Sequence, residues 1–171
     1  DGFLVAADGA TVQFHYAPTE QAPSRFALHD RTLTLPPAAG RPLAAPVTSA
    51  PGLSLTDWMD TPSPKLNGTP LKLKPYETAL SLAIAPDQQR FLLGTVWSLR
   101  LFDRQGVEQW RVPAPSPVWS VNIAGNGQVA VAAFGDGTIR WYRLGDGQEL
   151  LAFFPHNDRK RWVLWTPSGY Y

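Results

Sequence analysis

"SVNIAGNGQVAVAAFGDGTIRWYRLGDGQELLAF", residues 120–153, carries two Asp-Gly steps, Asp136-Gly137 and Asp146-Gly147, ten residues apart. The intervening segments, 128–134, 138–143 and 148–154, are short and rich in β-branched and aromatic side chains, the composition of strands. Three uses of such punctuation compete. A phosphate loop needs a helix after its glycines, and a strand pattern follows instead. A calcium loop needs oxygen ligands at alternating positions and a closing glutamate, but Thr138, Arg140 and Trp141 stand there. Hairpin turns remain, and Asp-Gly supplies the positive φ that a two-residue I′ turn requires at both central positions.

The template recurs. "SLAIAPDQQRFLLGTVWSLRLFDRQGVEQWRV" (81–112) aligns on it, and "WVLWTPSG" (162–169) opens a further copy. "TLTLPPAAGRPLAAPVTSAPGLSLTDW" (32–58) follows more loosely, with Pro37 in the place of Pro86, and "GATVQF" near the start brings Asp8-Gly9 and Phe14 into the same register. Phe14, Trp58, Leu101 and Trp141 then share one strand position at separations of 44, 43 and 40 residues. A period near 40 built from short strands is the mark of propeller blades. The 17 prolines and 14 glycines leave no room for a helical period. The fold expected is all-β, a β-propeller segment of about four four-stranded blades. Its blades divide as 1–30 (partial), 31–75, 76–114 and 115–158, with the start of a next blade over 159–171. The Pro-rich stretch 36–75 has a linker's composition, but its register with the repeats makes it a blade, and the one poorest in regular hydrogen bonding.

Strands 3–7, 11–16 and 24–28 count as the second to fourth of a blade, and 161–165 as a first strand. Strand 161–165 is therefore expected to pair with 3–7, within one chain as a four-bladed ring or between two chains as an eight-bladed homodimer. An open arc leaves two apolar faces in water, a drive to close, to associate or to belong to a larger ring. Asp1 and Gly2 read as turn residues leading straight into a strand, so a fragment of a longer chain is expected.

The stretches "PKLNGTPLKLKPYETALSLAIAPDQQRFLLGTVWSLRLFDRQGVEQWRVP" (64–113), "GDGTIRWYRLGDGQELLAFFPH" (135–156) and "RWVLWTPSGYY" (161–171) resemble the bacterial WD-repeat β-propellers, the kind often attached to caspase-like peptidase or other effector domains. The Trp-Asp pair of the strict pattern stands here as Trp141-Tyr142 and Leu101-Phe102, and the Asp-His-Ser-Trp network of other members is missing. The resemblance implies a protein-interaction scaffold or a regulatory and sensing part of a multidomain protein, without catalysis, and makes "TPSGYY" a lead-in to further strand. The alternative is a propeller enzyme or small-ligand binder using the central channel, where Ser81, Ser120 and Asn122 are the polar groups on offer.

Composition narrows the partners. A net charge of +1 from 15 basic and 14 acidic residues argues against nucleic acid, and no run suits a membrane helix. Zero cysteines remove disulfides and thiolate sites. His15, His29 and His156 lack repeated carboxylates to orient them, and no Gly-x-Ser-x-Gly is present, so no catalytic residue, metal or cofactor is expected. A protein partner and a cytoplasmic setting are.

Among the large apolar residues, Phe14, Trp58, Leu101, Trp141 and Trp165 read as packing between blades. Trp97 sits at a turn and is either a binding hot spot or a folded-over cap. The run from His156 through Arg159, Lys160 and Arg161 is either a solvated loop or, with Tyr76 and Glu77, part of a partner-binding face made by the connections between blades.

Overall fold

The structure, a computed structural model, describes every residue except 1, 18, 21, 36, 38, 39 and 171, and the side chain of residue 170 is likewise outside it. Asp1, Pro36 and Tyr171, which carry parts of the expectations above, lie outside the described residues. No helix occurs among the described residues. Among the described residues, eighteen strands build four antiparallel sheets, each of which is one blade.

Blade 1 contains β1 (Leu4–Ala6), β2 (Thr11–Phe14), β3 (Ser24–Ala27), β4 (Thr32–Thr34) and β5 (Leu43–Ala44), in the spatial order β4-β3-β2-β1-β5. Blade 2 is a small sheet of β6 (Leu55–Thr56), β7 (Lys65–Leu66) and β8 (Thr69–Pro70), each two residues long. Its poverty in hydrogen bonds is the result of proline, which has no N–H for a ladder. Blade 3 holds β9 (Ala79–Ile84), β10 (Arg90–Thr95), β11 (Ser98–Asp103) and β12 (Glu108–Pro113). Blade 4 runs β13 (Val118–Ile123), β14 (Val129–Phe134), β15 (Ile139–Arg143), β16 (Glu149–Pro155), β17 (Trp162–Thr166) and β18 (Gly169–Tyr170).

Period-2 alternation decides which blades meet. On β14, Ala130, Ala132 and Phe134 face blade 3, packing with Leu92, Leu99, Leu101, Val118 and Val121. Val131 faces the other way with Ile139, Trp141 and Phe153, against Val5, Val12, Phe14 and Phe26 of blade 1. Blade 3 turns Leu82, Phe91, Leu93 and Phe102 toward Leu53, Leu55, Leu66 and Leu71 of blade 2. The stacking order in space is thus 2-3-4-1: the N-terminal blade packs after the fourth.

The turns of the opening stretch correct one expectation. Gly137 and Gly147 adopt φ of +85° and +73°, whereas the aspartates before them are not among the positive-φ residues. These are longer hairpin loops with a single left-handed glycine, not I′ turns. Each aspartate instead accepts from the amide two residues on, Asp136 Oδ1 from Thr138 N and Asp146 Oδ1 from Gln148 N. A Cβ on Gly147 would fall 2.8 Å from the Trp110 ring, so Gly147→Ala combines backbone strain with a clash. It is expected to destabilise the chain by about 1–3 kcal/mol in urea unfolding, and a loss under half that would contradict this placement.

Blade 1 is offset by one strand from its expected register. Gly9 N bonds Ala6 O at 2.9 Å as Gly127 N bonds Ala124 O at 2.8 Å, and Leu28 N bonds Ala10 O as Leu144 N bonds Gln128 O. Asp8-Gly9 therefore matches Asn126-Gly127, β1 is a first strand, and Phe14 lies in a second strand rather than beside Leu101 and Trp141. Asx-Gly closes hairpins of both kinds, so the dipeptide does not index which one it closes. Residues 32–34 are accordingly the outer strand of blade 1 rather than the start of blade 2. Trp58 falls just beyond β6, half-buried against the blade 2–3 core.

Strand 161–165 does not pair with 3–7. β17 instead continues blade 4 as a fifth strand, Ala152↔Trp165 through Pro155↔Trp162. The two edges of β1 are occupied by β2 and by β5, with Val5↔Ala44 and Ala6↔Leu43. From β5 the chain crosses the inner edges of blades 4 and 3: Asn122 Nδ2 donates to Ala44 O at 2.9 Å, and Ile84 N to Val47 O at 2.7 Å.

The outward rows of the two end blades mix polar and apolar side chains. Where blades 3 and 4 place Leu92–Leu101 and Val131–Trp141, blade 1 places the row Leu4, Gln13, Arg25, Thr34. Blade 2 turns Thr56, Lys65 and Pro70 outward, with Lys65 paired to Asp57 at 2.8 Å.

Candidate functional site

Antiparallel strands bring two sets of loops to opposite ends of the stack. One end carries the turns 85–90, 103–107, 124–128 and 144–148, together with 7–10 of blade 1. Each is closed by an Asp or Asn accepting a backbone amide two residues on, at 2.9–3.0 Å, so the tips at this end are tied by their own Asx turns. The other end carries the connections into β9 and β13 and the turns 96–97 and 135–137, with the loop 156–161.

Of the expected face residues, this second end displays Tyr76, 89% exposed with φ +64°, and Trp97, 49% exposed. It also displays Trp119, 59% exposed at the start of β13, which the sequence reading did not single out. Trp119 lies over Gly135, where a Cβ would come 3.0 Å from the indole nitrogen.

Glu77 is not a surface residue. It is fully buried at the mouth of blade 3. Its Oε1 accepts from Thr95 Oγ1 at 2.5 Å and from Ser98 Oγ, and its Oε2 accepts from Arg100 Nη2 and from Lys74 N at 3.1 Å. Arg100, also buried, extends to Glu108 on β12 at 2.7 Å. One guanidinium thereby ties the connection before β9 to β11 and β12. Burial pushes the Glu77 carboxyl up, but Ser98, Thr95, Arg100 and the Lys74 amide outweigh it and hold it below its ordinary value. Blade 4 repeats the device in polar form: Arg140 reaches Glu149 at 3.0 Å and Thr138 Oγ1 at 3.1 Å. The sequence signal was present as Ser98-x-Arg100 and Thr138-x-Arg140, 40 residues apart.

The basic run is largely neutralised by its own surroundings. Arg159 Nη1 lies 2.8 Å from Glu20 Oε1, and its guanidinium stands 5.5 Å from the Tyr16 ring, which latches the loop onto blade 1. Arg161 pairs with Asp158 at 2.5 Å, and Asp158 also accepts the amides of Lys160 and Arg161 at 2.9 Å. Those amides and the Arg161 side chain hold the Asp158 carboxyl well below the usual carboxylate range. His156 Nδ1 accepts from Asp158 N at 3.1 Å. The loop sits at the blade 4–1 junction, while Tyr76 and Trp97 belong to blade 3, so the expected face residues form two groups rather than one patch.

Among the packing residues, Phe14, Leu101 and Trp141 are buried between blades, and the Trp141 indole donates to Gly9 O at 2.7 Å. Trp165 is not a core residue: it is half-buried, with the Arg140 guanidinium 6.0 Å from its ring, and Leu164 takes the core position on β17.

Between blades 4 and 1 this end opens into a cleft of about 970 Å³. Its walls are Trp119, the 135–137 turn and Phe154 on one side, and Phe14, His15 and Glu20 on the other. The polar groups considered for a channel are otherwise engaged: Ser81 Oγ donates to Val118 O at 2.8 Å and Asn122 holds the crossing segment, while Ser120 lines the cleft. Among the described residues no group of three His, Asp or Glu side chains converges to hold a metal ion.

No family model matches the chain. Among solved structures it is similar to the WD40 repeats of RRP9, at 15% identity over 59% of this chain and 39% of that one, with a TM-score of 0.47. It is also similar to U3-55K, at 14% identity over 59% and 40% with a TM-score of 0.48. The computationally designed Ika4 protein matches at 16% identity over 52% of this chain and 66% of that chain, TM-score 0.40. The chain spans less than half the length of the first two. At these identities the likeness concerns fold alone. By its own sheets the chain is an all-β, partial β-propeller.

Proposed function

We propose that the chain is a protein-interaction module without chemistry of its own, a scaffold or sensing part of a larger protein, docking partners at the end that carries Tyr76, Trp97 and Trp119. The exposure of these three large aromatics at one end supports this, since the opposite end presents Asx turns. Large exposed rings on a rigid scaffold are the side chains from which interface hot spots are built.

The test is capture with the full chain and with a Tyr76→Ser/Trp97→Ser/Trp119→Ser variant whose melting temperature matches the parent. The proposal expects the variant to lose the proteins retained by the parent, with an affinity loss of at least about tenfold for any one purified. Retention of the same set by the variant would overturn it.

A further inference from the structure

We propose that the cleft between blades 4 and 1 receives an extended peptide segment bearing a lysine or arginine, its cation placed between the Trp119 indole and the Asp136 carboxylate, given the docking role of this end proposed above. The charge lining the cleft points there. Among the described residues its walls include the carboxylates of Glu20 and Asp136 and no lysine or arginine, with the rings of Tyr16, Trp119 and Phe154 among the rest. An aromatic, acidic concavity attracts a cation on an apolar stem.

The two carboxylates are not equivalent. Glu20 is engaged: Oε1 is ion-paired with Arg159 Nη1 at 2.8 Å, outside hydrogen-bond geometry, and Oε2 accepts from Tyr16 N at 2.7 Å. Asp136 uses Oδ1 for Thr138, accepting from N at 2.9 Å and Oγ1 at 2.7 Å. Its Oδ2 has Arg140 Nη2 at 3.7 Å, beyond hydrogen-bond length. Asp136 therefore retains acceptor capacity at the wall of the cleft. It follows directly on Gly135, over which Trp119 lies. Exposed indole and under-used carboxylate are thus neighbours, the pair of groups that recognises a guanidinium or ammonium by ring face and by charge-assisted hydrogen bond.

The test is an NMR titration of the full chain with three capped tripeptides, Ac-Ala-Arg-Ala-NH2, Ac-Ala-Lys-Ala-NH2 and Ac-Ala-norleucine-Ala-NH2. The first two are expected to shift the Trp119 indole and the Gly135 and Asp136 amides saturably, and the norleucine peptide to bind about tenfold more weakly. Asp136→Asn, which keeps an acceptor for Thr138, should lower the affinity for the cationic peptides and leave that for norleucine unchanged. In the parent protein, raising the salt should weaken the arginine peptide and not the norleucine one. Equal binding of norleucine overturns the cation while leaving the docking end intact. No saturable shift with any peptide overturns the cleft itself, and the capture experiment above then decides separately on the docking end.

Discussion

Replacing Arg100 with methionine is expected to cost about 3–5 kcal/mol, because it strands the fully buried Glu77 carboxylate without its cation. For a chain of this size that corresponds to roughly 10 °C in melting temperature. Urea unfolding at neutral pH measures it, and a change below about 1 kcal/mol would show that the pair is worth no more than a surface bridge. Adding Glu77→Gln to Arg100→Met should return part of the loss, since the stranded charge is then gone. Acid provides a second check. Glu77 titrates lower in the folded chain than its ordinary 4.5. Its contribution is therefore complete above that value and is lost as pH falls through the folded one. Asp8, Asp87 and Asp146 are depressed as well, so the informative quantity is the difference between parent and Glu77→Gln. The parent should lose more stability below pH 4.5 than the variant does.

Phe153→Ala is expected to cost a similar amount, about 3–5 kcal/mol. Phe153 is fully buried, stacked on Phe26 at 4.0 Å and edge-on to Phe14 at 6.1 Å. Phe26 in turn meets Trp162 at 5.1 Å, so one ring of β16 holds both blade 1 and β17. Hydrogen exchange distinguishes this from a general loss. Protection should fall across β1–β4 and β17 while β9–β12 keeps its own. An even loss across all blades would mean that blade 1 is not a separable unit.

Blades 3 and 4 were legible in the sequence because their strands are long, alternating and closed by Asx or glycine turns. Their positions, 79–113 and 118–155, differ from the expected strands by a residue or two. Blade 1 was legible as strands but not in register, because Asp8-Gly9 fits the turn of Asn126 as well as that of Asp136. Gln13 and Arg25 held the corrective clue. They stand on a row that is apolar in blades 3 and 4, and the strand count passed over them. The fate of 161–165 was invisible for a different reason. Local pattern specifies a strand, not its neighbour, and the neighbour was decided by Leu43–Ala44, two residues in a proline-rich stretch with no strand signal. At the candidate site, Trp97 and Tyr76 were readable as loop aromatics. Glu77 was misread because a carboxylate at a blade entrance looks solvated until Arg100, 23 residues on, is seen to fold over it. Trp119 was hidden inside an apparently regular strand.

The packing of the first blade against the fourth sets the timetable of assembly. Trp141 bonds Gly9 across 132 residues of chain, so the strands of blade 1, translated before those of blade 4, find their partner surface only when synthesis has nearly reached β16. Until then Val5, Val12, Phe14 and Phe26 face water as an apolar stripe, a hazard for aggregation. The prolines between Pro42 and Pro75 lie in the interval that must be crossed, and having no N–H they offer the waiting strands few ladder partners there.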